Sequence, residues 1–133
     1  YHHDKGKLAH FLHGHVENKD KLSRKAQLEA YDGCARLRPI WDDIAGQFDA
    51  VITPSVPDEA PVGLESTGDA SFCSMWTILH VPALNIPGFK GENNMPIGLT
   101  LVGQRYRDQH VLHVGEAIGK IFELEGGFQS KLP

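Results

Sequence analysis

Val81-Pro82-Ala83-Leu84-Asn85-Ile86-Pro87 and, a few residues on, Met95-Pro96-Ile97-Gly98-Leu99-Thr100-Leu101-Val102-Gly103 decide the fold. Ala83-Leu84-Asn85-Ile86 and Ile97-Gly98-Leu99-Thr100-Leu101-Val102 are apolar runs of strand length, and Ala50-Val51-Ile52-Thr53 is a third. Proline brackets them, as Pro54, Pro82, Pro87 and Pro96, and a residue that cannot donate into a ladder belongs at strand ends. Two of the three runs are nearly apolar throughout, the pattern of strands covered on both faces inside a larger sheet. A chain of 133 residues does not supply their outer neighbours, so an α/β body is predicted of which part lies elsewhere.

Outward from these runs the periodicity turns helical. Val111, Val114, Ile118, Ile121 and Phe122 share a face of a last helix that Asp108 is placed to cap and Gly126-Gly127 to stop. Gly115 and Gly119 on that helix predict close approach to the sheet. Phe72, Met75, Trp76 and Leu79 predict a short helix capped by Ser71, preceded by a long loop over 54–70 of the kind that covers a site. Toward the N-terminus, Leu8, Phe11, Leu12 and Val16 predict a helix from about Asp4 to Glu17. A longer one, capped by Asp20, carries the stripe Leu22, Ala26, Ala30, Cys34, Leu37, Trp41, Ile44 and Phe48, with a kink or restart expected at Pro39. That stripe must face a partner. The organisation expected is one piece over 1–133, helical over 1–48 and strand, loop and helix over 49–133.

Composition narrows the class. With 41% hydrophobic and 23% charged residues the chain suits a folded domain, and no apolar run approaches the roughly 20 residues a spanning helix needs. Two cysteines, Cys34 and Cys73, make no disulfide scaffold and fit a reducing, intracellular setting. The net charge of -4 sits in the second part, whereas Lys5, Lys7, Lys19, Lys21, Arg24 and Lys25 make the start mildly basic. A solvated helix face explains those lysines more simply than phosphate contact. Tyr1 in place of methionine suggests an excised piece.

Several groups could carry chemistry. Gly63-Leu64-Glu65-Ser66-Thr67-Gly68 is one place off a nucleophile elbow and reads as a surface turn. Cys73, with His80 seven residues on, is either a reactive thiol or a buried small residue, its aromatic neighbours favouring the latter. His10, His13 and His15, with His2 and His3, could gather a metal ion but lack the flanking glutamate or cysteine pair of a dedicated site. His110 and His113 fall on the solvated side of the last helix, and Gly88-Phe89-Lys90-Gly91 lacks the length of a phosphate loop. Asp42-Asp43 and Asp58-Glu59 are adjacent pairs, most simply solvated. Asp69 ends the long loop, where it can cap the short helix or meet a cationic part of a ligand.

In their order, Asp49-Ala50-Val51-Ile52-Thr53-Pro54, Val81 to Pro87, Met95 to Gly103, and Asp108 with Leu112 resemble the C-terminal portion of the amidase-signature family, over about residues 22–125. That family includes amidases and the A subunit of glutamyl-tRNA(Gln) amidotransferase. The resemblance implies a few central strands of a mixed sheet packed by helices, and hydrolysis or transfer of an amide nitrogen by a serine nucleophile with a second serine on a cis peptide and a lysine base. No serine or lysine of this chain matches those three, so no catalytic residue, metal or cofactor is expected here. The chain would supply strands, the helix behind them, and part of a substrate funnel in 54–77. Asp69, Trp76 and Thr77 occupy the stretch where relatives contact substrate. Many relatives have asparagine where Thr77 stands, and Asp69 is one place out of register with the acidic residue of the amidotransferases. The partners implied are the upstream part of the same enzyme and a small amide, with nucleic acid touched only indirectly in an amidotransferase. Exposed sheet edges predict pairing of two copies, and the setting implied is cytoplasmic or mitochondrial, without a membrane. The alternatives are a binding or subunit-interaction module without catalysis and a metal-dependent hydrolase built on the N-terminal histidines.

Overall fold

The computed structural model describes residues 3–18 and 20–127, without the Phe11 side chain; Tyr1, His2 and Lys19 lie outside the described residues. The chain forms two compact units, Tyr1–Cys34 and Ala35–Pro133.

In the first unit the helix expected from Asp4 to Glu17 is divided. Asp4 accepts the Gly6 N–H at 3.0 Å and caps a 3-10 turn, Lys5–Lys7. Leu8 and Ala9 are then extended, and α1 runs His10–Val16. Asn18 and Lys21 take left-handed φ values of 48° and 51° and turn the chain. The Asn18 amide clasps Leu22, accepting its N–H and donating to its carbonyl. Ser23, not Asp20, caps the next helix, its Oγ accepting the Ala26 N–H at 3.1 Å, because the turn at Lys21 leaves Asp20 outside the first helical turn.

The second helix, α2, spans Arg24–Ala45 and passes Pro39 without a restart. The ring removes one backbone donor, and the helix is long enough on both sides to absorb that loss. Of its stripe, Cys34 and Trp41 are half-buried while Leu22, Leu37, Ile44 and Phe48 are exposed; the helix buries Ala45, next to that stripe, instead.

In the second unit β1 (Val51–Pro54), β2 (Ala83–Lys90) and β3 (Pro96–Val102) form a sheet in the order β1-β3-β2. Both pairings are antiparallel, with Thr100 at the centre of a row between Thr53 and Asn85. The class is α/β as expected, and any parallel pairing of a mixed sheet would have to come from neighbours beyond these three strands. β2 continues past Pro87, which was expected to end it. It is an edge strand of this sheet, and its register shifts between Pro87 and Phe89, the two settings in which proline is tolerated.

Between β1 and β2 lies α3 (Ser74–Leu79), and after β3 comes α4 (Asp108–Leu124). Val111, Val114, Ile118 and Phe122 of α4 pack on Leu84, Ile86, Leu99 and Leu101, forming the core. Alternation along the strands then turns Thr53, Asn85, Gly98 and Thr100 to the opposite face. Gly115 lies where a Cβ would overlap Leu84, so the close approach is real there; nothing lies within 4 Å of a Cβ at Gly119. Ile121, expected inward, is exposed at the flank of the apolar stripe. Asp108 is the first helical residue rather than the cap. The helix stops as expected: Gly126 takes a φ of 75° and the Gly127 N–H reaches the Phe122 carbonyl at 2.7 Å.

Candidate functional site

Pro54 ends β1, and the chain leaves the sheet in a loop that returns at Cys73. Ser55 holds the foot of that loop. Its Oγ lies 2.7 Å from Thr100 Oγ1 and donates to Asn85 Oδ1, and its carbonyl accepts the Cys73 thiol at 3.2 Å. Ser55 and Thr100 are both buried, so two hydroxyls that would be costly alone satisfy each other.

Glu59 holds the flank. One carboxylate oxygen accepts the backbone N–H and the side-chain amide of Asn93, at 2.8 and 2.7 Å, and the other accepts the Met95 N–H at 3.1 Å. The backbone bond from Asn93 does most to hold the Glu59 carboxyl below its usual range; partial burial opposes it, and the Asn93 amide and the Met95 N–H add to the lowering. Solvation, the simplest expectation for this acid, is thus replaced by a docking role.

A cavity of about 500 Å³ opens between the two halves of the loop, lined among others by Val56, Glu59, Pro61, Thr67 and Asp69. Gly63 and Gly68, at φ 96° and 91°, turn the chain around it, and the Gly68 N–H bonds Ser66 Oγ, a surface turn as expected. Asp69 is exposed, and its Oδ1 accepts the Ser71 N–H at 2.8 Å, which folds the approach to α3. Ser71 therefore does not cap: Cys73 stands at that position and makes no side-chain cap bond.

The other two predicted site residues sit on α3. Trp76 is buried with its ring centroid 4.8 Å from that of Trp41, whose indole N–H donates to the Gly103 carbonyl. The Trp76 indole N–H has no acceptor among the described residues. Thr77 is exposed, its hydroxyl 3.5 Å from the Cys73 carbonyl. Asp69 thus lines the cavity, whereas Trp76 and Thr77 are not among its walls. His80 ends α3 in the left-handed conformation, and Arg38 reaches both its ring and the Ile78 carbonyl, each at 3.1 Å.

Cys73 is exposed, not buried, because its thiol is turned to the Ser55 carbonyl at the rim of the loop. Cys73 and His80 bond different partners and form no dyad. Asp42 is likewise paired, with Arg105. His110 is half-exposed and bonds the Asp49 carbonyl at 3.0 Å, and His113 bonds the Gln109 carbonyl within its own helix. Among the described residues no three His, Cys, Asp or Glu side chains gather as a metal site; His2 lies outside them. Also among the described residues, no helix is long and apolar enough to cross a membrane. Reading by local motifs passed over Ser55, Asn85 and Thr100 and gave Glu59 only a solvated role. The available signal was polarity out of place: Asn85 and Thr100 interrupt otherwise apolar strands.

No family model matches the chain. The A subunit of glutamyl-tRNA(Gln) amidotransferase from Pseudothermotoga lettingae is 31% identical over 107 residues, 71% of this chain and 22% of that protein. The crystal structure of an amidase superposes with a TM-score of 0.70 at 24% identity, over 91% of this chain and 29% of that one. The A subunit of the Thermotoga maritima amidotransferase does so at 0.60 and 20% identity, over 86% of this chain and 28% of that one. The chain spans about a fifth of the length of the amidotransferase A subunits it matches. In sequence and in fold, the chain matches the C-terminal portion of the amidase-signature family.

Proposed function

We propose that this chain is the structural and substrate-funnel part of an amidase-signature enzyme, which hydrolyses a carboxamide or passes its nitrogen to an acceptor. The observation that carries the reading is the superposition of 91% of the chain on 29% of an amidase. The loop from Ser55 to Cys73, held at foot and flank around a cavity, suits a funnel wall. Asp69 contributes to that wall, and Trp76 and Thr77, carried on α3 where the loop ends, are its further substrate-contacting candidates. The serine–serine–lysine machinery belongs to another part of the enzyme, so the chain alone is inactive. In support, the serines whose bonds are described serve structural ends: Ser23 an N-cap, Ser55 the sheet, Ser66 a turn and Ser74 the Ala70 carbonyl.

The test is ammonia release from acetamide, benzamide and glutamine by the 133-residue chain and by the same chain made as part of its full-length gene product, the latter with and without mischarged tRNA. Turnover is expected from the full-length product only. Turnover by the chain alone, or a full-length product that leaves every amide intact, would overturn the reading.

A further inference from the structure

The proton count at the foot of the loop fixes the direction of one side chain. Asn85 Oδ1 can only accept, so Ser55 must donate to it. Ser55 has one proton, and the contact between its Oγ and Thr100 Oγ1 must then be a donation from Thr100. Thr100 to Ser55 to Asn85 is therefore a one-way relay, buried at its first two members. At its end the Asn85 amide lies across Gly98, where a Cβ would overlap Oδ1. Its oxygen is taken by Ser55, and the Nδ2 group, which also lies against Gly98, is the end of the amide left for another partner. Asn85 is exposed, and neither Nδ2 hydrogen has an acceptor among the described residues. An oriented donor is worth more to a ligand than a free one, because the cost of ordering it has already been met.

We propose that Asn85 Nδ2 is a binding donor for the carbonyl oxygen of a small carboxamide at the foot of the loop. The choice of ligand rests on the funnel reading above. Ser55 joins the donor to that loop through two of its own atoms, Oγ toward Asn85 and the carbonyl toward Cys73, the residue before α3. A carbonyl there would meet N–H donors already aimed at it, on the sheet face turned away from α4.

The test uses the ¹⁵N-labelled 133-residue chain titrated with benzamide, followed at the Asn85 side-chain amide signals. Asn85→Asp keeps an acceptor for Ser55 and replaces the Nδ2 N–H groups by an anionic oxygen. Asn85→Ala removes both. In the wild type the Asn85 signals should shift saturably, and Asn85→Asp should weaken benzamide binding at least about tenfold while keeping the wild-type melting temperature. Asn85→Ala should melt lower. If the Asn85 signals stay still, or if Asn85→Asp binds benzamide as the wild type does, the proposal falls even where the full-length product turns over amides. If Asn85→Asp melts as low as Asn85→Ala, the relay is wrong. A response to a short acetylated peptide but not to benzamide would reassign the donor to main-chain docking and overturn the proposal. Amide binding that depends on Asn85, without turnover by the full-length product, would instead leave the proposal standing and sink the catalytic reading.

Discussion

The Asp42 carboxylate grips Arg105 three times: Oδ2 lies 2.8 Å from Nε and 2.7 Å from an Nη, and Oδ1 accepts the Arg105 backbone N–H at 3.0 Å. Gln104 adds a bond to the Asp42 carbonyl at 2.8 Å, so the C-terminal turns of α2 are tied to the segment leaving β3. Burial acts to raise the Asp42 pKa, but the Arg105 side-chain and backbone hydrogen bonds and its charge outweigh it, and the net direction is down. A carboxyl whose folded pKa lies below its unfolded one stabilises at every pH above the unfolded value, and that contribution drains away as pH falls through the folded one. Asp42→Ala should cost about 1.5–3 kcal/mol at neutral pH, the range of charge-assisted hydrogen bonds. Urea melts at pH 7 and pH 3 check it: the gap between variant and wild type should narrow at the lower pH.

Gly115 and Gly119 look equivalent in the sequence, one helical turn apart on α4, yet their surroundings differ. A Cβ at 115 would overlap the Leu84 side chain, whereas one at 119 meets open space. Gly115→Ala should therefore destabilise by about 1–3 kcal/mol through overpacking. Gly119→Ala should stabilise by up to about 1 kcal/mol, since alanine loses less backbone freedom on entering a helix. Thermal melts of the two variants should move in opposite directions.

These contrasts show which parts of the structure local sequence can announce. The three strands were legible because proline and short apolar runs punctuate them, and α4 was legible from its stripe and its two closing glycines. The ends of elements were not. Pro87 stands inside β2 because that strand is at an edge and bulges there, and Ser23 displaces Asp20 as a cap because Lys21 turns left-handed first. The site loop was visible as a loop, and Asp69 as a residue at its end. The bonds that shape the loop were not, because they join Glu59 to Asn93 across 34 residues and Ser55 to Thr100 across 45. Periodicity carries no information at that range.

Glu59 offers a direct check on the loop. Its carboxyl is held below the usual range, first by the Asn93 backbone N–H, so it stays ionised and docked above its unfolded pKa and lets go as pH falls through the lowered folded value. Glu59→Ala removes all three acceptor bonds, and Glu59→Gln keeps one neutral acceptor oxygen for them. Limited proteolysis within residues 56–70 should be fastest in Glu59→Ala, intermediate in Glu59→Gln and slowest in the wild type at pH 7. Hydrogen exchange at the Asn93 and Met95 amides should follow the same order. Equal protection in all three would mean that the loop is held without Glu59.

Among the described residues the two outer strands of this sheet each leave an unpaired backbone edge, and Ile52 of β1 is exposed and lines one cleft with Phe48, which follows α2. Free edges template pairing with other strands, and exposed apolar side chains beside an edge strengthen the tendency. β2 is the poorer template, since Pro87 lacks a donor and the register shifts after it. Association of the isolated chain should therefore run through β1. Light scattering across a concentration series should show dimers or larger species forming, and Ile52→Lys should return the chain to monomer by placing a charge beside that edge. A chain that stays monomeric at every concentration, or an Ile52→Lys variant that associates as readily as the wild type, would show that the β1 edge is protected in some other way.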